Sequence, residues 1–318
     1  MTAPFPEAAG VNPGSESGEA HRRVAIGVLA LQGAFAEHAA ALARLGADVR
    51  EVRLPEEFEG LDGIVLPGGE STAMALIGER WGVFPRLKRW VSEGRPVWGT
   101  CAGLILLSDS ALLTKRGGQS LVGGLNVDVC RNYFGSQMSS FEVPLDTSLL
   151  GPKTTDKKAG TPSNSGPYPA VFIRAPAVLE VGAGVDVLCR VRARPCDKAV
   201  TVAKAQLKTL EESAGDKEDD AAVAKRRRLE AFFVQSASSA RDGTGAVAEA
   251  PEVIVAVRKG NIVGTAFHPE LTNDSRWHDY FVRLVREAVI AGGDGEILAA
   301  AAAGAPEVAA DAASVVAA

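Results

Sequence analysis

The chain has 318 residues, 46% of them hydrophobic, which is enough for one α/β domain of ordinary size together with appendages. Its formal net charge of −5 disfavours a nucleic-acid-binding protein, which would carry a strongly basic surface. No apolar run is as long as a transmembrane helix, and the N-terminus lacks a basic stretch followed by an apolar core, so we expect neither a membrane span nor a signal peptide.

The pattern along the chain predicts strands that alternate with helices. Residues 1–22 are rich in Gly, Pro, Ser and Glu and are expected to form a flexible tail. From residue 23 onwards, apolar runs alternate with segments whose apolar residues recur at helical spacing, which is typical of a doubly wound α/β fold with a mostly parallel sheet and helices on both faces. The predicted strands are 24–31, 49–54, 63–66 and 97–99, and the predicted helices are 34–45 and 83–93.

A loop with paired glycines, PGGEST at 67–72, follows the third predicted strand. Glycines at this place let a ligand approach the backbone closely and can present N–H donors to an oxyanion. An ordinary Gly-Gly turn without a catalytic role would have the same residues. The loop is not a phosphate-binding P-loop, because it lacks the Gly-Lys-Ser/Thr ending.

The pentapeptide GTCAG at 99–103 lies between the fourth predicted strand and an apolar helix. Strand, small-residue turn and helix are the context of a nucleophile elbow, in which Cys101 occupies the strained position and the glycines avoid a clash. The dipole of the following helix favours a thiolate, and the N–H of Ala102 would face a developing oxyanion. Taken alone, the same letters also describe a buried structural cysteine.

A late strand within 260–267 leads directly into His268 and, two residues on, Glu270. A thiol nucleophile needs a base, and the base needs a third group that orients it, so this pair suits the cysteine. His38 and His278 lie in helix-like segments among charged residues, and substitutions there are expected to have little effect. Considered by itself, His268 would be interpreted as an ordinary loop histidine. Its combination with a cysteine on a nucleophile elbow favours a catalytic role.

The other cysteines, Cys130, Cys189 and Cys196, show no paired metal-ligand spacing and are interpreted as small core or loop residues. A cysteine nucleophile suits a reducing compartment, so we expect a cytoplasmic protein.

These features, in this order, resemble a class I glutamine amidotransferase with a Cys-His-Glu triad. Further motifs narrow the resemblance to the glutaminase subunits of pyridoxal 5'-phosphate synthases, and it covers about residues 23–195 and 251–290. Other amidotransferases lack the Arg-Asn-x-Phe-Gly block. The motifs are LALQG at 29–33, PGGEST at 67–72, RNYFGSQ at 131–137, SFE at 140–142, FIRAP at 172–176 and FHPEL at 267–271.

The resemblance implies a role for particular residues. It makes Cys101 the nucleophile, His268 the base and Glu270 the group that orients the base, with an oxyanion hole at the backbone of Gly69 and Ala102. It also implies a set of glutamine-recognition positions: Gly69, Glu70, Ser71, Arg131, Ile173 and Arg174.

Glutamine carries a carboxylate and an ammonium group, so its site needs a cation and several acceptors. Arg131 offers a fixed fork of donors for the carboxylate, although without the resemblance it would be interpreted as a surface charge. Gln32 belongs to the stretch that, in the resembled family, senses the partner subunit.

The function implied is hydrolysis of L-glutamine to L-glutamate and ammonia by one domain over 23–290, without a metal or an organic cofactor. The ammonia would pass to a (β/α)8-barrel subunit that makes pyridoxal 5'-phosphate. Two alternatives stay open: a glutaminase for another biosynthetic synthase, which the RNYFG block disfavours, and a non-catalytic regulatory paralogue, which the intact triad disfavours.

The sequence departs from the resembled family in two insertions. The shorter spans 151–169. The longer, about 197–250, combines charge blocks with a Ser/Gly-rich exit, so we expect a disordered or partly helical excursion that buries little apolar surface. Its four consecutive basic residues, 225–228, are interpreted as charges on a solvated surface. A nuclear import signal or a phosphate-binding patch are the alternatives. The alanine-rich tail 291–318 is expected to be helical or disordered.

Overall fold

The computed structural model describes residues 23–114, 118–135, 140–146, 150, 166–213, 220–237 and 250–303. The predictions for the N-terminal tail, for most of the shorter insertion and for the end of the alanine-rich tail lie outside these residues. The strands are β1 Ala25–Leu29, β2 Asp48–Val52, β3 Gly63–Leu66, β4 Val97–Thr100, β5 Ser110–Leu112, β6 Val127–Cys130, β7 Phe141–Leu145, β8 Tyr168–Phe172, β9 Ala177–Val181, β10 Asp186–Arg192, β11 Glu252–Lys259 and β12 Ile262–Thr265.

Helices connect many of these strands, and short 3-10 turns lie at Pro55–Phe58 and Pro269–Leu271. Within the described ranges, no helix combines the length and apolar character needed to cross a membrane. The α-helices are α1 Phe35–Arg44, α2 Ser71–Arg80, α3 Val83–Ser92, α4 Ala102–Leu107, α5 Asp197–Ser213, α6 Asp220–Ala237 and α7 Arg276–Ala303.

Among the described residues, ten strands form one mixed sheet in the order β2-β1-β3-β4-β12-β11-β9-β6-β5, with β10 paired to β11. The strands β2, β1, β3, β4 and β12 run parallel to one another. This confirms the predicted doubly wound α/β class. From β12 to β6 the neighbours pair antiparallel, and β7 and β8 form a separate hairpin.

The central strand β4 is flanked by β3 and β12, and this order positions the functional segments. Leu66 is in register with Gly99, and Thr100 is in register with Thr265. Because parallel strands place their carboxyl ends at one edge of the sheet, the segments that follow these three strands meet there.

Helices cover both faces of the sheet at β4. On one face the Trp98 ring lies 5.5 Å from the ring of His38 in α1 and 5.7 Å from the ring of Phe281 in α7. On the other face, a Cβ atom at Gly99 would lie only 2.4 Å from the carbonyl carbon of Gly103 in α4. Since successive residues of a strand point to opposite faces, the two contacts establish a helical layer on each side, as predicted.

The predicted elements of the N-terminal half all occur, and their ends shift by no more than two residues. Helix α2 was not predicted. Its buried residues Met74 and Ala75 are followed directly by the strongly exposed Leu76, so its apolar residues do not form a clean helical stripe.

The described part of the long insertion is more helical and more buried than its composition predicts. Part of 197–250 forms α5 and α6, which confirms the helical part of the expectation. The expectation that it buries little apolar surface is wrong, because Ala199 and Ala203 of α5 and Leu229 and Phe232 of α6 are buried. These few apolar residues recur at helical spacing but are outnumbered by charges, so the average composition hides the buried face.

Helix α6 is attached to the sheet by an aromatic contact and an ion pair. The Phe232 ring packs edge-on against Tyr133 at 6.0 Å, and the Arg228 guanidinium pairs with the Asp128 carboxylate of β6. The Arg228 side chain is only 31% exposed. The run 225–228 is therefore not a uniformly solvated basic patch.

The contact of α6 with the sheet can be tested by truncation. Phe232→Ala should lower the free energy of unfolding by about 3 kcal/mol, because removing a fully buried ring leaves a cavity. Val223→Ala on the same helix should change it by less than about 0.5 kcal/mol, since that side chain is largely exposed. Urea unfolding measures both values. Wild-type stability of the Phe232 variant would show that α6 does not belong to the folded core.

Candidate active site

Cys101 occupies the turn between β4 and α4, in the strand, turn and helix context that the sequence predicts. Its φ of 46° and ψ of −97° place a non-glycine residue in a strained backbone conformation. A Cβ atom at Gly103 would lie 2.1 Å from the carbonyl oxygen of Leu66, so α4 approaches the sheet this closely only with glycine there. The close contact and the strain together project the thiol from the sharp turn.

The surroundings of Cys101 link it to the neighbouring strands. Its backbone N–H donates to the carbonyl of Thr265 at 2.8 Å, which ties the turn to the end of β12. Its Sγ lies 3.9 Å from the carbonyl oxygen of Ile173. Cys101 is buried, with 6% of its surface exposed, so a reaction at its thiol takes place largely out of water.

His268 follows β12 and is fixed on two sides. Its backbone N–H donates to the carbonyl of Val171 at 2.8 Å, and its Nδ1 lies 2.8 Å from Oε1 of Glu270. The Glu270 side chain is completely buried. Because Glu270 occupies Nδ1, Nε2 is the ring nitrogen left for the chemistry, and it is buried without a hydrogen-bond partner among the described residues.

The charges of this group depend on one another. Burial lowers the pKa of His268, but the Cys101 thiolate and the hydrogen bond to Glu270 raise it, and the result is about 11. Burial raises the pKa of Glu270, but His38 and His268 lower it more strongly, to well below its usual range. At neutral pH the site therefore favours a carboxylate beside a protonated imidazole.

The paired-glycine loop lies directly against the triad. A Cβ atom at Gly68 would lie 2.5 Å from Cε1 of His268, so a side chain there would displace the imidazole. At the other end of the loop, the N–H of Glu70 donates to Oε1 of Gln32 at 2.6 Å. A Cβ atom at Gly69 would lie 2.5 Å from the same oxygen. Gln32 therefore holds the loop from outside.

Glu70 and Arg131, both expected to bind glutamine, contact each other. An Nη2–Oε1 distance of 3.3 Å joins them, and the Glu70 carboxylate also caps α2 by accepting from the N–H groups of Thr72 and Ala73. Burial raises the pKa of Glu70, but these hydrogen bonds and Arg131 lower it overall. The Arg131 side chain is only 12% exposed, so it is not a surface charge.

The other recognition candidates lie near these groups. Ser71, at the start of α2, donates to Oε1 of Gln119 at 3.1 Å. Gln119 was not predicted, since it lies in a loop without a motif. Ile173 contributes its carbonyl near the thiol, whereas Arg174 is exposed and has a left-handed φ of 48°. In the described part of the chain, no three His, Cys, Asp or Glu side chains form a group that could hold a metal ion.

The helical positions of His38 and His278 are confirmed, and the structure adds that His38 lies against the triad, which the sequence did not indicate. Both are buried, and Nε2 of His38 lies 3.2 Å from Oε2 of Glu270. The charged neighbours of these histidines in the sequence suggested an exposed surface, but the spacing of the apolar residues around His38 indicates burial. His38 recurs with Ala41 and Leu42 at helical spacing and therefore belongs to the apolar face of α1.

Comparison with known proteins decides the family. The sequence profile described as "SNO glutamine amidotransferase family" matches residues 28–239 and 231–287. This chain belongs to that family.

Named relatives agree with the match. "Probable pyridoxal 5'-phosphate synthase subunit PDX2" of Arabidopsis thaliana is 43% identical over 264 residues, which cover 82% of this chain and 86% of the relative. "Pyridoxal 5'-phosphate synthase subunit PdxT" of Corynebacterium jeikeium is 37% identical and covers 82% of this chain and 97% of its own length. A solved structure, "Crystal structure of glutamine amidotransferase", aligns with a TM-score of 0.55 at 32% identity, over 82% of this chain and 98% of that one.

Reactivity toward an electrophile should distinguish Cys101 from the other cysteines. Burial raises the pKa of Cys189 to about 12 and that of Cys130 further, so both remain protonated thiols near neutral pH. A chloroketone analogue of glutamine should therefore label Cys101 and spare the other two, as peptide mass spectrometry can establish. Labelling at Cys130, Cys189 or Cys196 in place of Cys101 would contradict the assignment.

Proposed function

We propose that this chain is a glutaminase, which hydrolyses L-glutamine to L-glutamate and ammonia with Cys101 as nucleophile. The observation that carries the proposal is the meeting of a strained cysteine with a carboxylate-held histidine at the ends of adjacent strands. Membership of a glutamine amidotransferase family supports glutamine as the substrate.

In the first half of the reaction, the Cys101 thiolate attacks the side-chain amide carbon of glutamine and forms a tetrahedral oxyanion. His268 gives its proton to the amide nitrogen, the carbon–nitrogen bond breaks, and ammonia leaves a γ-glutamyl thioester. Water then attacks the thioester, His268 accepts its proton, and the thiolate departs. The second half thus restores both the imidazolium and the thiolate, while Glu270 holds the ring throughout.

Backbone N–H groups would stabilise the two oxyanions. Ala102 is the first residue of α4, so its N–H has no acceptor within the helix. Gly69 is the second proposed donor. The carbonyl of Gly68 accepts from the N–H of Ala34 at 3.0 Å, and because the peptide is trans, the Gly69 N–H points to the opposite side. Rotating this peptide would reverse the direction of that donor and requires breaking the bond to Ala34.

Recognition of glutamine would use the charges that already face each other. The guanidinium of Arg131 would bind the substrate carboxylate, and Glu70 together with the Ile173 carbonyl would accept from the ammonium group. Pairing between Arg131 and Glu70 keeps both charges matched before the substrate arrives.

The names of the relatives support delivery of the ammonia to a pyridoxal 5'-phosphate synthase subunit, for which the sequence resemblance implies a (β/α)8 barrel. The loop of Gln32 and Ala34 holds both ends of the glycine loop. We propose that docking of the synthase shifts this loop, frees the Gly68–Gly69 peptide and completes the oxyanion hole. Ammonia would then be released only when an acceptor is present.

Substitutions in the triad test the chemistry. Cys101→Ala and His268→Asn should lower ammonia release by at least about 1000-fold, whereas Glu270→Gln should retain more activity, since the orienting group contributes less than the base. The assay uses glutamine and saturating synthase, and far-ultraviolet circular dichroism verifies that each variant is folded. Substantial turnover by Cys101→Ala would exclude the mechanism, and an inactive but folded wild type would favour a non-catalytic paralogue.

Activation by the partner is a separate prediction. The isolated chain should be a poor glutaminase, and the synthase should raise kcat at least tenfold, equivalent to about 1.4 kcal/mol of transition-state stabilisation. Gln32→Ala should reduce this activation more than it reduces basal turnover, because Gln32 holds the loop and touches no reacting atom. Equal kcat with and without synthase would contradict the coupling and favour a different ammonia acceptor.

A further inference from the structure

Both carboxylate oxygens of Glu270 face a histidine, and the triad accounts for only one of these contacts. Among the described residues, Oε2 makes no hydrogen bond, so its close contact is the one that calls for an explanation. Oε1 faces Nδ1 of His268, while Oε2 lies 3.2 Å from Nε2 of His38 on α1. The side chains of His38 and Glu270 are both fully buried. The same Nε2 lies 3.1 Å from the hydroxyl of Thr100, the residue before the nucleophile.

A second buried histidine lies behind the first. Nδ1 of His38 is 3.0 Å from Nε2 of His278 on α7, and His278 is only 1% exposed. The Trp98 ring packs edge-on against both imidazoles, with centroids 5.5 and 5.1 Å away. Apolar side chains would be enough to fill this space. Two imidazoles are unfavourable there unless their nitrogens are hydrogen-bonded, because burying a polar group without a partner costs free energy. The pair is thus better explained by what its nitrogens bind.

The contacts determine which nitrogens carry protons. A carboxylate only accepts, so the Nε2 of His38 that faces Glu270 must carry the hydrogen. In a neutral ring Nδ1 then has the lone pair, and it accepts from Nε2–H of His278. Nδ1 of His278 is buried and has no hydrogen-bond partner among the described residues, which suits a nitrogen without a proton. Burial also lowers the pKa of His278 well below its usual value, which keeps this ring neutral.

We infer that His38 is a positioning residue for the glutaminase reaction. Its Nε2 is hydrogen-bonded to Thr100 and makes a 3.2 Å polar contact with Oε2 of Glu270, which restrains the carboxylate so that Oε1 holds His268 in the orientation that serves Cys101. His278 fixes the tautomer of His38. The inference rests on the proposed function. Without His38, Oε2 of this buried carboxylate loses its polar contact with the imidazole, and Glu270 can rotate or take up a proton. His268 then loses its fixed orientation, while the glutamine-recognition groups are untouched.

A matched pair of substitutions separates the hydrogen bond from the bulk of the ring. The amide nitrogen of glutamine reaches the place of Nε2, whereas that of asparagine reaches only the place of Nδ1. With saturating synthase, His38→Asn should lower kcat on the order of 10-fold with KM changed less than about twofold, and His38→Gln should stay within about threefold of wild type. Equal losses in the two variants would overturn the inference.

A double substitution distinguishes positioning from general structural damage. If His38 acts through Glu270, His38→Asn should cost less than about twofold further in a Glu270→Gln background, whereas independent damage would multiply in full. Rates are expressed per active site, counted by stoichiometric labelling of Cys101 with the chloroketone analogue. Full multiplicativity, or a His38→Asn variant with wild-type kcat per labelled site, would refute the role.

Two further measurements keep the test decisive. If His38→Asn does not fold, the same comparison is made at His278, the residue that is hydrogen-bonded to His38. The kcat of His278→Gln should then exceed that of His278→Asn by about threefold. Identical values would count against the inference. Failure of the proposed function is recognised separately, because wild type with synthase would then release no ammonia from glutamine.

Discussion

The carboxylate of Glu270 is the group that the surrounding elements must satisfy. An ionised carboxylate without exposure is strongly unfavourable unless polar groups surround it, and here His268 is hydrogen-bonded to one oxygen while His38 lies 3.2 Å from the other. The first donor comes from the end of β12 and the second from α1, while Thr100 of β4 contacts His38. One buried charge therefore fixes two strand ends and a helix relative to each other, and this places the base beside the nucleophile.

The parts of the site that lie in one short segment could be predicted from the sequence. The elbow around Cys101 requires glycines on both sides because α4 touches the sheet there, and that requirement is visible in the letters. His268 and Glu270 are two residues apart after an apolar strand. Neither assignment depends on contacts between distant residues. The parallel strands β1 to β4 were predictable for a similar reason, because helical segments separate them along the chain.

What could not be predicted depends on contacts between residues far apart in the chain. The pairs Asp128–Arg228 and Tyr133–Phe232 attach the long insertion, and neither segment indicates by itself which distant residue it will contact. His38 had a local signal, its place on the apolar face of α1, but only the fold reveals Glu270 as its partner. The antiparallel strands beyond β12 are similarly built from distant segments, so strand–helix alternation could not predict them.

The central claim is that Cys101 holds the glutamyl group during turnover. The most direct measurement mixes the enzyme–synthase complex with glutamine, quenches a single turnover with acid, and maps the adduct by peptide mass spectrometry. The account predicts a γ-glutamyl group on Cys101 that hydroxylamine removes, and its decay should match the appearance of glutamate. Ammonia release without this adduct, or a glutamyl group on another residue, would contradict the account.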